Sequence, residues 1–243
     1  MKRSEQKLAR QKAILAALSE DLSLPLVQIK TGLELINSDK LSAQSLAEQK
    51  RLVSLSTESG LHLVEAYKLL LKTDEVLELP LETIAIGSVL DEVAQRLSPY
   101  AKQFDTDLQI DIQGRPAPII AHPPSLATAL EVLSASLIAA QAAQAERKRY
   151  QLVLGAHRST EGLVMAGAFS NVRGLSDHSL RAARALVGEA RQPITQLPPG
   201  SISGILVADM LCAALWQPLR SSAHRSFNGL ATSLPLSSQL QFV

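Results

Sequence analysis

The segment Ser19-Glu20-Asp21-Leu22-Ser23-Leu24-Pro25-Leu26 lies in a long amphipathic stretch, residues 5–37, and decides how the first part of the chain folds. Apolar residues recur along this stretch at steps of three or four, at Leu15, Leu18, Leu22, Leu26, Ile29, Leu33 and Ile36. This spacing places them on one face of a helix. Pro25 lacks a backbone donor and clashes with the preceding turn, so the sequence predicts a bend in the helix there.

A second amphipathic helix is predicted after the polar turn at residues 37–40. Ser45 and Glu48 have capping-box spacing, so the helix is expected to begin between Ser42 and Ser45 and to continue to Thr73. Its apolar stripe comprises Leu52, Leu55, Ser59, Leu63, Ala66 and Leu70. Two helices joined by a short turn form an antiparallel hairpin that cannot cover both stripes. The hairpin is therefore expected to pair with a second copy in a homodimeric four-helix bundle.

The pattern changes at a linker, residues 77–81, where Pro80 ends any helical continuation. The sequence thus predicts an α+β protein with a helical hairpin over residues 1–76 and a mixed domain over residues 77–243. Strands are expected at Glu82–Ile86, Asp107–Gln113, Ile119–Ala121, Tyr150–Ala156, Gly162–Phe169 and Ser226–Leu236. Helices are expected at 88–104, with Ser88 as the cap, and at 123–146, 174–191 and 201–215.

Composition excludes several function classes. A net charge of +1 and 3% aromatic residues argue against nucleic-acid binding. No apolar run of about 18 residues is present, so no membrane span is expected and the cytoplasm is the simplest location. The single cysteine, Cys212, is expected to be a buried apolar side chain on a helix. The histidines outside the hairpin are scattered and have no metal-ligand spacing, at His122, His157, His178 and His224.

The opening segment resembles the phosphoacceptor box of sensor histidine kinases, usually Ser-His-Glu-Leu-Arg-Thr-Pro-Leu. Ser19, Leu22 and Pro25 match that box, and Asp21 replaces its Glu. Glu20 stands where the resemblance places the phosphorylated histidine. One interpretation is that Glu20 imitates the phosphorylated state, and the other is that it is a solvated surface carboxylate.

The second domain resembles the ATP-binding domain of the same family, an ATPase-like α/β sandwich, over essentially all of its length. Gly200 and Gly204 match two glycines of the family's second glycine box, while Ile202 replaces the middle one. The two metal-side Asn positions fall on Val132 and Ser136. Neither residue supplies the amide oxygen that would hold Mg²⁺.

The adenine-reading position is also altered. The family has Asp-x-Gly-x-Gly after a strand, and the corresponding run here is Val164–Asn171, with Ala166 in place of the Asp. Without that acceptor, the adenine edge is left unpaired. The resemblance therefore implies no ATP or Mg²⁺ cofactor, no catalytic residue and no metal site.

Together these features predict a catalytically degenerate histidine-kinase-like protein, a pseudokinase, that acts as a dimeric two-component signalling adaptor. The resemblance implies that the surface around Glu20 and Ser23 docks a response-regulator receiver domain. Two alternatives stay open. The protein is a phosphorelay phosphotransferase in which His62, the hairpin's only histidine, replaces the missing acceptor, or it is a weakly active ATP-binding kinase.

Overall fold

The computed structural model describes residues 19, 22–23, 25–37, 42–73, 80–142, 149–172, 175–186 and 201–237. The chain forms two compact units, Met1–Lys68 and Leu69–Val243. The predicted domain boundary after residue 76 lies outside the described residues and stays a prediction.

The first unit contains helix α1, residues 25–36, and most of helix α2, Ala43–Thr73. Residues 19 and 22–23 are helical too, whereas the predicted start near residue 5 lies outside the described residues. The Ser42 hydroxyl accepts a hydrogen bond from the Ser45 backbone amide at 3.2 Å, so Ser42 is the N-cap of α2. The predicted start of α2 is thereby confirmed.

Small residues form the contact between α1 and α2. A Cβ atom added at Gly32 would lie 2.5 Å from the Val53 Cγ2 atom, and one added at Gly60 would lie 3.8 Å from Pro25. The Ser56 hydroxyl, buried at the same contact, donates a hydrogen bond to the Gln28 side-chain oxygen at 2.9 Å. Because these groups are small, the two helices approach each other closely.

The leucines predicted to form the packed stripe are exposed within one chain. Leu26 is 60% exposed, Leu33 is 46% exposed and Leu52 is 48% exposed. This exposure agrees with the expectation that a single hairpin cannot cover both stripes, and the close approach at Gly32 places smaller residues between the two helices. An apolar surface is therefore left uncovered on the hairpin.

The second unit is a five-stranded sheet with helices and a separate two-stranded sheet. Its strands are β1 Glu82–Ile84, β2 Thr106–Ile112, β3 Ile119–Ala121, β4 Tyr150–Arg158, β5 Val164–Ser170, β6 Arg220–His224 and β7 Phe227–Leu234. Its helices are α3 Ile86–Gln103, α4 Pro123–Ala142, α5 Leu175–Leu186 and α6 Ser201–Leu215. The large sheet has the order β2-β4-β5-β7-β6, and only its β2–β4 pair is parallel. Strands β1 and β3 pair antiparallel.

Most predicted elements are confirmed, including the final strand, expected at Ser226–Leu236 and observed as β7. Strand β6 was not predicted, since its polar sequence lacks an apolar alternation. Ser88 does not cap α3, which begins at Ile86 after Ala85 without a side-chain cap.

Helix α4 is the central core helix. It is apolar on all sides, and Leu130, Leu133 and Leu137 are fully buried. Of the described helices, it alone is long and apolar enough to cross a membrane, at Pro123–Gln141, but 72% of that stretch is buried inside the fold. Burial therefore accounts for its apolar character.

The single cysteine lies on α6. Cys212 is buried, as predicted, and burial raises the pKa of its thiol to about 12. The thiolate needed for nucleophilic reactions therefore does not form at neutral pH.

Two glycines allow β5 and β7 to lie unusually close together. A Cβ atom at Gly167 would lie 2.1 Å from the Leu230 carbonyl oxygen, and one at Gly229 would lie 2.1 Å from the Ala168 carbonyl oxygen. Both obstacles are backbone atoms, which cannot rotate away. The pairing at the centre of the sheet thus requires glycine at both positions.

Gly167→Ala is expected to destabilise the protein by about 3 kcal/mol, because the added methyl group forces β5 away from β7. Thermal unfolding should show a melting temperature lower by about 6–12 °C. Gly87→Ala is the matched control, because its Cβ atom meets only the flexible tip of Ile112 at 3.2 Å. A Gly167→Ala protein as stable as Gly87→Ala would contradict this account of the sheet.

Candidate functional site

Ala166 lies in the middle of a strand and not after one. It belongs to β5, pairs with Ala156 on β4 and Thr232 on β7, and is fully buried. Nearly all of the run Val164–Asn171 is β5 itself, in agreement with the predicted strand Gly162–Phe169, so Ala166 does not occupy the position after a strand at which the family's Asp stands. The residue at the end of β5 is Ser170.

Ser170 is the last residue of β5, and its hydroxyl belongs to a series of hydrogen bonds that links Val172 to Phe104. Its hydroxyl donates to the Gln141 side-chain oxygen at 2.8 Å and accepts from the Val172 amide at 3.0 Å. The Gln141 amide donates to the Thr106 hydroxyl at 3.1 Å, and that hydroxyl donates to the Phe104 carbonyl oxygen at 3.2 Å. The hydroxyl group at the end of β5 is therefore already hydrogen-bonded to other groups of the protein.

Asn171, the next residue, is bound to the start of β4. Its side-chain oxygen accepts a hydrogen bond from the Gln151 amide at 3.1 Å, and its nitrogen donates to the Arg149 carbonyl oxygen at 3.0 Å. The Gln151 carbonyl oxygen accepts from the Asn171 amide at 3.2 Å. Asn171 therefore closes the β4–β5 edge and does not present its amide outward.

Two predicted site positions, Ser136 and Gly204, meet at the contact between α4 and α6. A Cβ atom at Gly204 would lie 2.0 Å from the Ser136 hydroxyl oxygen and 3.2 Å from Val132. The Ser136 hydroxyl donates to the Val132 carbonyl oxygen of its own helix at 2.7 Å, and Ser136 is buried. The contact leaves no space for a methyl group between the helices.

A partly buried ion pair attaches α5 to α6. Arg184 donates two hydrogen bonds to the Asp209 carboxylate, at 2.9 Å and 3.1 Å, and one to the Leu219 carbonyl oxygen at 2.7 Å. The Leu219 amide donates to the same carboxylate at 2.7 Å. This forked arrangement fixes both helices to the start of the β6–β7 hairpin. Gly200 lies outside the described residues.

The phosphoacceptor-like box is only partly described. Ser23 is exposed, and its hydroxyl donates to the Ser19 carbonyl oxygen at 2.8 Å, while Pro25 is buried against Gly60. Glu20 and Asp21 lie outside the described residues, so their roles stay predictions. His62 lies on α2, but its side chain is not among those described.

The fold brings together two histidines that the sequence separates by 67 positions. His157 on β4 and His224 on β6 face each other with their Nδ1 atoms 3.1 Å apart. The His224 Nε2 atom lies 2.9 Å from an Asp111 carboxylate oxygen on β2. Sequence spacing gave no signal of this cluster because its members come from three distant strands. Among the described residues, no group of three or more His, Cys, Asp or Glu could hold a metal ion.

Comparison with known proteins identifies the fold. No protein-family model matches the chain, and no curated protein sequence does. The histidine kinase AdeS of Acinetobacter baumannii superposes with a TM-score of 0.55 at 15% identity, over 90% of this chain and 98% of that one. Histidine kinase ThkA in complex with the response regulator TrrA gives 0.58 at 10% identity, over 98% of this chain and 65% of that one.

Full-length ShkA in complex with AMPPNP gives a TM-score of 0.50 at 17% identity, over 96% of this chain and 46% of that one. The chain thus spans about two thirds of the ThkA chain and about half of ShkA, but nearly all of AdeS. The chain has the fold of a histidine-kinase core, as the sequence resemblance implied. At these identities the likeness concerns the fold alone.

The contact between α4 and α6 predicts a strong coupling between Gly204 and Ser136. Gly204→Ala alone should cost about 3 kcal/mol, because its methyl group meets the Ser136 hydroxyl. Ser136→Ala removes that obstacle and should restore at least half of the loss in the double variant. Chemical denaturation of the two single variants and the double variant measures the coupling, expected to exceed about 1.5 kcal/mol. Additive free energies would show that the helices are not in contact there.

Proposed function

We propose that this protein is a dimeric two-component signalling adaptor that does not use ATP. The observation that carries the proposal is the contact of Gly204 with Ser136. In the resemblance to the ATP-binding domain of histidine kinases, Gly204 corresponds to a phosphate-binding glycine and Ser136 to a metal-binding Asn. Their direct contact leaves no volume for a hydrated ion, and the Ser136 hydroxyl already donates within its own helix.

The end of β5 supports the same proposal. An adenine amino group needs a free acceptor, and a carboxylate after the strand would supply one. Ser170 instead gives its hydroxyl proton to Gln141 and accepts from Val172. Recruiting Ser170 for a ligand would break the hydrogen-bond chain to Thr106, and leaving one buried member unpaired costs about 1–3 kcal/mol.

The uncovered leucines of the hairpin support a homodimer. Leu26 and Leu33 are seven residues apart, so they lie on the same side of α1, and both are exposed. The close contact within the chain uses Gly32, Gly60 and Pro25 and leaves these leucines available. A second copy of the hairpin, presenting the same side, would bury them in a four-helix bundle.

The proposed partner is a response-regulator receiver domain. ThkA, whose fold the chain shares, is described in complex with a response regulator. Ser23 is exposed on the segment that resembles the phosphoacceptor box and offers a docking surface together with Glu20. The phosphotransferase alternative requires His62 as the acceptor.

Nucleotide should neither stabilise nor label the protein. A ligand present at about 100 times its dissociation constant stabilises the native state by about 2.7 kcal/mol. For a unit of this size, that corresponds to a rise in melting temperature of about 5–10 °C. Millimolar Mg²⁺–ATP is expected to leave the melting temperature unchanged, and radiolabelled ATP should transfer no phosphate. A rise of 5 °C or any covalent label would instead support the weakly active kinase.

Dimerisation should depend on the exposed leucines. The protein is expected to have twice its chain mass of 26.1 kDa by light scattering. Leu26→Glu and Leu33→Glu should each give a monomer, because a carboxylate cannot be buried unpaired in a bundle core. Thr31→Glu, an exposed position elsewhere on α1, is the matched control and should stay dimeric. A monomeric wild-type protein would overturn the proposed assembly.

A further inference from the structure

The face of the large sheet turned away from the core helices carries a polar cluster. Along β4, Leu152, Leu154 and Ala156 are buried on one face and alternate with Val153, Gly155 and His157 on the other. On this second face Val153 belongs to an apolar cluster with Met165, Phe169, Ala231 and the partly buried Phe227. His157 lies beside that cluster and is half-buried.

The β6–β7 hairpin lies across this face. Strands β2 and β6 are the two outer strands of the sheet, yet His224 of β6 contacts Asp111 of β2. Gly155 makes the crossing possible, because a Cβ atom there would lie 3.0 Å from the His224 ring and 2.9 Å from Phe169. The His224 ring is fully buried and stacks on Phe169, with the ring centres 4.9 Å apart.

The hydrogen bonds fix the tautomers of both histidines. The Nε2 atom of His224 faces the Asp111 carboxylate and therefore carries a proton. In neutral His224, the Nδ1 atom is then an acceptor, so the Nδ1 atom of His157 is the donor. Arg225, which has a positive φ of 52° in the turn between β6 and β7, holds Asp111 with two hydrogen bonds, at 2.6 Å and 2.7 Å.

This arrangement leaves the Nε2 atom of His157 with its lone pair. Among the described residues, no group forms a hydrogen bond with that atom, and it is not among the buried unpaired ones. The two histidine rings are tilted by 44° with their centres 5.3 Å apart, and their Nδ1 atoms are at hydrogen-bond distance, which suits a shared proton rather than a metal ion held by both. A nucleophile beside a base that a third group orients is the usual pattern of covalent catalysis.

The surrounding charges favour an anionic reagent. Arg220 lies against Met165, which pairs with His157 across β4 and β5, with its guanidinium nitrogen 3.0 Å from the Met165 sulfur. The same nitrogen donates to the Ser233 hydroxyl at 2.7 Å. Arg225 pairs with the Asp111 carboxylate. Arg220 therefore places a guanidinium group, bonded to neutral atoms, against the residue that pairs with His157, and its positive charge favours an incoming phosphoryl group.

We propose that His157 is a phosphoryl-accepting histidine, activated by His224 and Asp111. Its Nε2 lone pair attacks the phosphorus of a small phosphoramidate-type donor, the bond from phosphorus to the leaving nitrogen breaks, and ammonia departs with that electron pair. The Nδ1 proton of His157 passes to Nδ1 of His224, whose imidazolium is stabilised by Asp111. Solvent then carries this proton to the ammonia, which leaves as ammonium. The proposal does not rest on the adaptor function, since the donor is not ATP.

The direction of the pKa shift of His157 agrees with this role. Burial, and secondarily the neighbouring His224, lower the pKa of His157 below its ordinary value of 6.5. The titratable and charged groups around it are His224 from β6, which it contacts, Asp111 from β2 and Arg225 from the β6–β7 turn, both reached through His224, and Arg220 of β6, which contacts Met165. Met165 and Phe169 of β5 contribute no charge. A lowered pKa keeps the ring neutral, and hence nucleophilic, at neutral pH.

The test treats the full-length protein with phosphoramidate in the absence of nucleotide. Intact-mass measurement and peptide mapping should find a single acid-labile phosphoryl group on His157. His157→Ala should abolish it, and Asp111→Asn should slow its formation by about 100-fold. His178→Ala is the matched control, because His178 is exposed on α5 outside the cluster, and it should react like the wild type.

The pH dependence of labelling keeps the proposal testable if Asp111→Asn does not fold. In the wild-type protein, the rate should rise with a midpoint below 6.5, since the neutral form of His157 reacts. A midpoint at or above 6.5, labelling that persists in His157→Ala, or a folded Asp111→Asn protein that reacts at the wild-type rate would each overturn the assignment. Labelling spread over several exposed histidines would overturn it as well.

Discussion

The absence of side chains at three glycines of the large sheet is the constraint on which the second unit depends. Gly167 and Gly229 bring β5 and β7 into backbone contact, and Gly155 leaves room for the His224 ring. Without these close approaches, the β6–β7 hairpin could not cross the sheet to Asp111. The apolar cluster around Phe169 would then be exposed to solvent, and His157 and His224 would not be in contact.

Much of the fold follows from sequence periodicity, and the exceptions have physical causes. Helix α6 was predicted with its correct ends, because its apolar run lies between Gly200 and Pro218. Strand β6 was missed because Arg220–His224 has no apolar alternation and is held by pairing with β7. The contact within the hairpin was not predicted, because it is made by small residues, Gly32 and Gly60, which carry no periodic apolar signal.

The candidate site was less predictable than the fold. Ser136 and Gly204 were chosen from separate motifs, and the structure does bring them together, since both lie on helices with correctly predicted type. The adenine-reading position was placed at Ala166, four residues before the end of β5 at Ser170, because Val164–Ser170 is uniformly buried and offers no alternation from which to locate its end. The cluster of His157, His224 and Asp111 depends on strand pairing over long sequence distances, which spacing rules for single elements do not address.

The burial of Cys212 has a practical consequence. It is the chain's only cysteine, and a thiol with a pKa of about 12 inside the packed fold does not compete with surface thiols for alkylating reagents. A cysteine introduced at an exposed position would therefore carry a spectroscopic label without background. Spin-label pairs placed on α1 and on the β6–β7 hairpin could then report distances between the two units of the chain, and between copies, in the otherwise native sequence.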